Sequence, residues 1–395
     1  MFSVRRIRST ALVLGAVLLA YAGGVATGVV GTHGGDAQAA ASSSSRGGEG
    51  VLDEAADRIA SEAARPISRA TLEQAALDGM LKALGDRWSH YFPPAEFASF
   101  TAGLEGRYSG VGAWLRTDDA GRVIVASVQK STPAQAAGLM AGDRVVAVNG
   151  ADLADASVLG VTTALRGPAG STVSVTVERD GERHTLRIKR GELVSDDVMV
   201  SSLKGDIVVI RVSAFTRGVG RQVREAVAAA PPGAGIVLDL RADPGGLLTE
   251  AVEVASVFLD GGPVVSYQKR GQPMEVLDAL GTGESADPLV VLVDGGTASA
   301  AEIVAAALQD RNRAVIVGSR TYGKGSVQEP TTLSDGSAIE LTVGRYLTPS
   351  GKSIDGVGVE PDILVAPSLG AEAAEARAVQ VLRGLVAAND ASGLG

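Results

Sequence analysis

The sequence predicts a multidomain α/β chain: a helical amino-terminal segment, a small β-rich module, and an α/β core in which a mixed sheet is flanked by helices. Three observations predict it. Apolar residues recur at three- and four-residue spacing in VLDEAADRIA and TLEQAALDGMLKAL, between Val51 and Gly103, which is the period of amphipathic helices. From Tyr108 to Leu193 the pattern shortens to alternating runs such as VIVASV, DRVVAVNG and TVSVTVERDGERHTLRIKR, punctuated by Gly and Asp-Gly turns. Beyond Leu193 the β-like runs DIVVIRV, GIVLDL, LVVLVD and AVIVG alternate with the helical stretches GRQVREAVAAA and SAAEIVAAALQD.

The chain has 395 residues, 45% of them hydrophobic and 21% charged, which is enough apolar material for two or three packed cores. Its formal net charge of −9, with no block of Lys and Arg, leaves no electrostatic footprint for a phosphate backbone. Nucleic acid is therefore not an expected partner. Cysteine is absent, which removes disulfides, thiolate metal sites and thiol nucleophiles together. Histidine occurs only at 33, 90 and 184.

Taken in order, residues 1–40 read as a signal anchor or a signal peptide. Arg5, Arg6 and Arg8 precede a run from Ser9 to Thr32 without a charge. That length reaches the about 20 apolar residues that span a bilayer, and the arginines place its start in the cytoplasm. In the competing reading Ala37-Gln38-Ala39 is a cleavage site. Either reading puts the remainder outside the cytoplasm, anchored in the cell membrane or secreted. Residues 41–50, with SSSSRGGEG, read as a flexible linker. A helical region at 51–105 follows, with His90 in the helical segment DRWSHYF. The β-rich module spans 106–192, the α/β core 193–370, and a terminal helix and tail 371–395.

Two segments of the core carry chemistry. Gly318 to Lys324, GSRTYGK, matches half of a phosphate-binding loop after the strand AVIVG. The match fails at Gly325, where a hydroxyl should hold the metal, and at the hairpin-like SVQEPTTLSDGSAIELTVG, which offers no helix amino terminus to phosphate. The second segment is Thr297-Ala298-Ser299-Ala300-Ala301-Glu302, between LVVLVD and an Ala-rich helix. Ser299 with Glu302 forms a helix-capping box. A serine at a strand-to-helix turn also lies beside free backbone N–H groups, which suits a nucleophile. The hexapeptide alone does not choose.

A serine nucleophile needs a base. Neither His90 nor His184 belongs to the core, so a Ser-His-Asp arrangement is not expected. Lysine serves where burial lowers its pKa, and Lys324, between Gly323 and Gly325, is the candidate.

With these residues in view, the chain resembles the carboxy-terminal processing peptidases, or tail-specific proteases, from about Leu72 to Ile363. The resemblance lies in VLVDGGTASAAEIVAAALQD, RTYGKGSVQ and LDLRADPGGLL, which match the family's nucleophile, lysine and Arg-x-Asn-Pro-Gly-Gly segments in order. It implies a crotonase-like core, Ser299 as nucleophile, Lys324 as base, Gln328 as the residue that positions the lysine, and the N–H groups of Gly246 and Ala300 as the oxyanion hole. It implies no metal and no organic cofactor. Two residues depart from the pattern: Asp243 where the family has Asn, and Ala301 where Ser is common. The β-rich module likewise resembles a PDZ domain through STPAQAAGLMAGDRVVAVNGADL and LRGPAGSTVSVTVER. That resemblance implies capture of protein or peptide tails with apolar carboxy termini by β-augmentation, with Gly110, Val111 and Gly112 in the carboxylate-binding loop. A protease-like core that binds through its PDZ domain without cleaving is the alternative function.

Overall fold

The computed structural model describes residues 47–392, apart from 119, 154, 155, 205, 282 and 284–286. The expected anchor or leader at 1–40 lies outside the described residues. Among these residues no helix is long and apolar enough to cross a membrane.

Helix α1 (Gly47–Glu62) begins inside the stretch expected to be linker, and α2 (Arg69–Ala83) follows it. Arg69, at the head of α2, reaches Asp53 and Asp57 of α1 and Glu73 one turn on, which joins the two helices. The helix expected through His90 is instead strand β1 (His90–Phe92). The Asp86 carboxylate is the reason. It accepts the N–H groups of Trp88 and Ser89, each at 3.1 Å, and the Ser89 hydroxyl, closing an Asx-type turn that competes with helix. Beyond it, His90, Tyr91 and Phe92 pair antiparallel with Glu340, Ile339 and Ala338.

Helix α3 (Pro94–Leu104) and strand β2 (Arg107–Gly110) lead into the β-rich module. The module contains β3 (Ala113–Thr117), β4 (Val123–Val128), α4 (Pro133–Ala136), β5 (Arg144–Val148), β6 (Ala151–Asp152), α5 (Val158–Leu165), β7 (Thr172–Arg179) and β8 (Glu182–Lys189). The sheet order is β3-β4-β5-β7-β8, with β6 on β5, so β3 is an edge strand. Strict alternation in β7 buries Val173, Val175 and Val177 against Val123, Val145 and Ile188. Strand β9 (Gly191–Val194) pairs back onto β2, so the two connections leave side by side.

The core follows as β10 (Val198–Leu203), β11 (Ile207–Val212), α6 (Val219–Ala228), β12 (Gly235–Asp239), α7 (Leu248–Phe258), β13 (Pro263–Lys269), β14 (Met274–Asp278), β15 (Leu289–Val293) and α8 (Ala300–Asp310). It ends with β16 (Val315–Gly318), β17 (Ser326–Thr332), β18 (Ala338–Leu347), β19 (Ile363–Leu364) and α9 (Gly370–Ser392). The central sheet has the order β10-β11-β12-β15-β16-β19, parallel except for β10. Its middle strands β12 and β15 are apolar except for Asp239 at the end of β12, because both faces are covered. Ile236, Leu238, Val291 and Val293 meet α6, α7 and α8 on one face; Val237, Val290 and Leu292 meet Ala374, Ala378 and Leu382 of α9 on the other. A second sheet, β1-β18-β13-β14 with the β17–β18 hairpin, stands beside this stack. The loop after β15, the loop after β16 and the β17–β18 hairpin converge on the region described next.

Candidate active site

Ser299 occupies the turn between β15 and α8 in a conformation that few non-glycine residues adopt, with φ 54° and ψ −117°. Such backbone costs on the order of 1–3 kcal/mol and persists only where its surroundings over-determine it. Several bonds do so here. The Thr297 hydroxyl, fully buried, donates to the Leu240 carbonyl at 2.8 Å and accepts the Asp294 N–H at 2.9 Å. Ala298 donates its N–H to the Asp243 carbonyl at 2.9 Å.

That last bond docks the loop after β12, Arg241 to Leu247, onto the Ser299 turn. Gly245 has φ 93°, and a methyl group on it would lie 2.7 Å from the Ala298 oxygen, 2.8 Å from the Ala300 nitrogen and 2.9 Å from the Ser299 Cβ. Only glycine lets the two backbones meet so closely. Phe215 clamps the loop from the far side, its N–H on the Gly245 carbonyl at 2.9 Å and its carbonyl on the Leu247 N–H at 2.8 Å. Among the described residues, neither the Gly246 N–H nor the Ala300 N–H has a hydrogen-bond partner. The sequence-predicted pair of donors therefore lies on two segments in contact, beside the serine.

Asp243 is fully buried; one carboxyl oxygen accepts the Gly245 N–H at 2.8 Å, and the other has no partner among the described residues. Burial pushes its pKa well above the usual carboxylate range, the nearby Asp197 pushes the same way, and the Gly245 N–H and Arg211 oppose. In its protonated form this carboxyl has nearly the shape of an Asn carboxamide.

Sequence reading treated Glu302 only as the far half of a capping box. In the structure its fully buried carboxylate joins the serine turn to the lysine loop. One oxygen accepts the Ser299 N–H at 2.9 Å and the Lys324 N–H at 2.8 Å. The other accepts the Gly323 N–H at 2.7 Å and the Thr321 hydroxyl. The only sequence signal for this role was the Glu at the third helical position.

Lys324 is partly buried, and that burial lowers the pKa of its amine; Glu340 and, more weakly, Glu302 oppose that shift. Its Nζ lies 4.8 Å from the centre of the Trp88 ring, and Trp88 in turn meets Tyr322 edge-on at 6.1 Å. Trp88 comes from the turn before β1, a contact that sequence reading missed. Gln328 stands on β17, close in sequence to Lys324, and its amide nitrogen donates to the Ser326 hydroxyl at 2.7 Å and to the Thr342 hydroxyl at 3.3 Å. The phosphate-loop resemblance ends here too, because Gly325 leads directly into a strand.

Gly110 closes β2, and Val111 and Gly112 link it to β3 of the β-rich module. The Val111 side chain is packed in the module's core, and its carbonyl accepts the Ala134 N–H at 2.8 Å. Edge strand β3 begins immediately after them, with α5 alongside.

Residues 206–365 match the family model of peptidase family S41, and residues 107–189 match that of the PDZ domain. The chain is 36% identical over 300 residues to a probable CtpA-like serine protease of Staphylococcus aureus (strain COL), covering 74% of this chain and 60% of that protein. A probable CtpA-like serine protease of Staphylococcus haemolyticus (strain JCSC1435) is 34% identical over 300 residues, covering 75% and 60%. The chain thus spans about three-fifths of the length of these relatives. Among solved structures, a photosystem II D1 C-terminal processing protease is 30% identical, with 81% of this chain and 94% of that one covered at a TM-score of 0.50. A putative S41 protease from Bacteroides fragilis NCTC 9343, at 19% identity and TM-score 0.52, shares the fold over 75% of this chain and 83% of its own.

Proposed function

Because the chain belongs to peptidase family S41, we propose that it is a serine endopeptidase that cleaves proteins near their carboxy termini with Ser299 as nucleophile and Lys324 as general base. The observation that carries this reading is the Glu302 carboxylate, which holds the N–H groups of a strained serine and of a desolvated lysine on one oxygen. A buried lysine whose pKa is lowered holds a larger neutral fraction near neutral pH and can take a proton from a hydroxyl.

In this reading neutral Lys324 removes the Ser299 proton as Oγ attacks the scissile carbonyl. The resulting oxyanion is received by the Gly246 and Ala300 N–H groups, donors that are preorganised and otherwise unused. The lysine ammonium then protonates the leaving amine, and the amine base returns to activate water for deacylation. Gln328 acts as a brace: with its nitrogen held by Ser326 and Thr342, its carbonyl oxygen is the acceptor for the ammonium. No step calls for a metal or an organic cofactor.

The PDZ module supplies recognition. An extended tail adds to edge strand β3, its carboxylate on the backbone of Gly110 to Gly112 and its apolar terminal side chain toward α5. Residues 9–32 hold the catalytic part at the outer face of the cell membrane, or are removed on secretion. Cleavage of an unstructured protein with an apolar tail by the wild-type chain and by Ser299→Ala and Lys324→Ala tests the proposal. Binding without cleavage by the wild type would instead favour the scaffold reading.

A further inference from the structure

The β17–β18 hairpin and β1 place a second carboxylate near the lysine. In the antiparallel register Gln328 stands opposite Thr342, and Glu340 stands between Pro330 and His90. Directly opposed residues project from the same face of a sheet, and so do residues two apart. Gln328, Thr342, Glu340 and His90 therefore share one face. Two residues before His90 is Trp88, whose ring lies against the Lys324 amine. Ser89 fixes this junction, its hydroxyl accepting the Thr342 N–H at 3.2 Å.

The ionisable groups near Lys324 and Glu340 come from three elements: Glu302 on α8; Asp86, which engages the Thr342 side chain, Arg87, whose guanidinium lies 4.5 Å from the centre of the Trp88 ring, and His90, all from the turn and strand β1; and Glu340 itself on β18. Glu302, on α8, is already committed: four donors occupy its carboxylate. His90 is exposed and packs edge-on against Phe92 at 4.6 Å. Glu340, on β18, is different. Among the described residues its partly buried carboxylate has no hydrogen-bond donor; burial raises its pKa, and the charge of Lys324 pulls it back toward the ionised form. A buried carboxylate of this kind is costly unless a cation faces it.

We infer that Glu340 is an electrostatic positioning residue for the base: its carboxylate stabilises the ammonium that Lys324 becomes when it takes the serine proton. This rests on the Ser-Lys reading above. The proton moves from Ser299 Oγ to Lys324 Nζ and later to the leaving amine; Glu340 exchanges none and supplies only its charge. Burial and Glu340 then act on the lysine in opposite directions, one favouring the neutral base and the other the cation. The balance sets the pH at which the base works.

The test is the pH dependence of kcat/KM for the full-length chain on a fluorogenic casein, for wild type, Glu340→Gln and Glu340→Asp. Removing the charge lowers the lysine pKa, so the acid limb of the Glu340→Gln profile moves to lower pH by roughly one unit, while kcat on the plateau falls severalfold and KM is unchanged. Glu340→Asp keeps the limb near the wild-type position. An unmoved limb in Glu340→Gln, or equal movement in both variants, overturns the inference. A second measurement needs no variant at 340. In reductively 13C-methylated wild-type chain, with the signal assigned through Lys324→Arg, the Lys324 resonance should titrate with two inflections because the pair is coupled. A single inflection overturns it. If Lys324→Ala remains active, the Ser-Lys reading fails; if Lys324→Ala is inactive and the Glu340→Gln limb does not move, this inference alone fails.

Discussion

Replacing Glu302 by glutamine changes one atom of the site and separates its two halves. The carboxylate accepts four hydrogen bonds, two at each oxygen. Glutamine retains one oxygen and turns the other into a donor. Its cheapest orientation keeps the oxygen on the Ser299 and Lys324 N–H groups and aims the amide at Thr321, whose hydroxyl can rotate to accept. The Gly323 N–H is then left unpaired in a buried position, at a cost of about 1–3 kcal/mol. Alanine would strand all four donors, and a loss of several such bonds approaches the whole stability of a domain, about 5–15 kcal/mol, so it would report only on folding. In Glu302→Gln the lysine loop shifts relative to the serine turn, and a misplacement near 1 Å can cost about 10²-fold in rate. Urea unfolding and kcat/KM measured on the same preparation check both numbers. Wild-type stability together with wild-type kcat/KM would refute the idea that this carboxylate sets the dyad's geometry.

Two further outcomes follow from the loop after β12. Gly245→Ala forces a methyl group into the Ala298 carbonyl, the Ala300 nitrogen and the Ser299 side chain, so the Gly246 and Ala300 N–H groups separate and, with these as the proposed oxyanion donors, kcat should fall by about 10²–10³; steady-state kinetics on the soluble, folded variant would show it, and an unchanged kcat would remove this loop from the chemistry. Asp243→Asn should raise the thermal midpoint at neutral pH. Burial makes the folded chain keep the Asp243 proton to higher pH than the unfolded chain, which releases it above about pH 4, so wild-type stability falls as pH rises from there. The variant lacks that slope, and parallel melting curves for the two proteins across the pH range would contradict the assignment.

The layers of the core were legible because their cause is local. GIVLDL and LVVLVD are near-continuous apolar runs broken only by Asp239 and Asp294 at their carboxyl ends, which is the pattern of a parallel strand covered on both faces. TVSVTVER alternates because one face of its sheet is packed and the other is not. Strand β1 was not legible: three residues carry little pattern, and their partner on β18 lies some 250 residues away in sequence. For the same reason Trp88 and Glu340 could not be assigned to Lys324 from the chain alone. Glu302 was visible as a capping residue, but capping engages one N–H, whereas the fold brings it three more donors from the lysine loop. Gln328 was placed beside the lysine by resemblance; that its amide nitrogen meets Ser326 and Thr342 only the paired strands reveal.

The pairing of Ser299 with Lys324 is tested most directly by the initial rate at which the full-length chain cleaves an unstructured protein when Lys324 alone is replaced by alanine and Ser299 is intact. Loss of turnover to the level of Ser299→Ala, with the urea midpoint retained, is the expected result. Cleavage by Lys324→Ala at a rate near that of the wild type would contradict it.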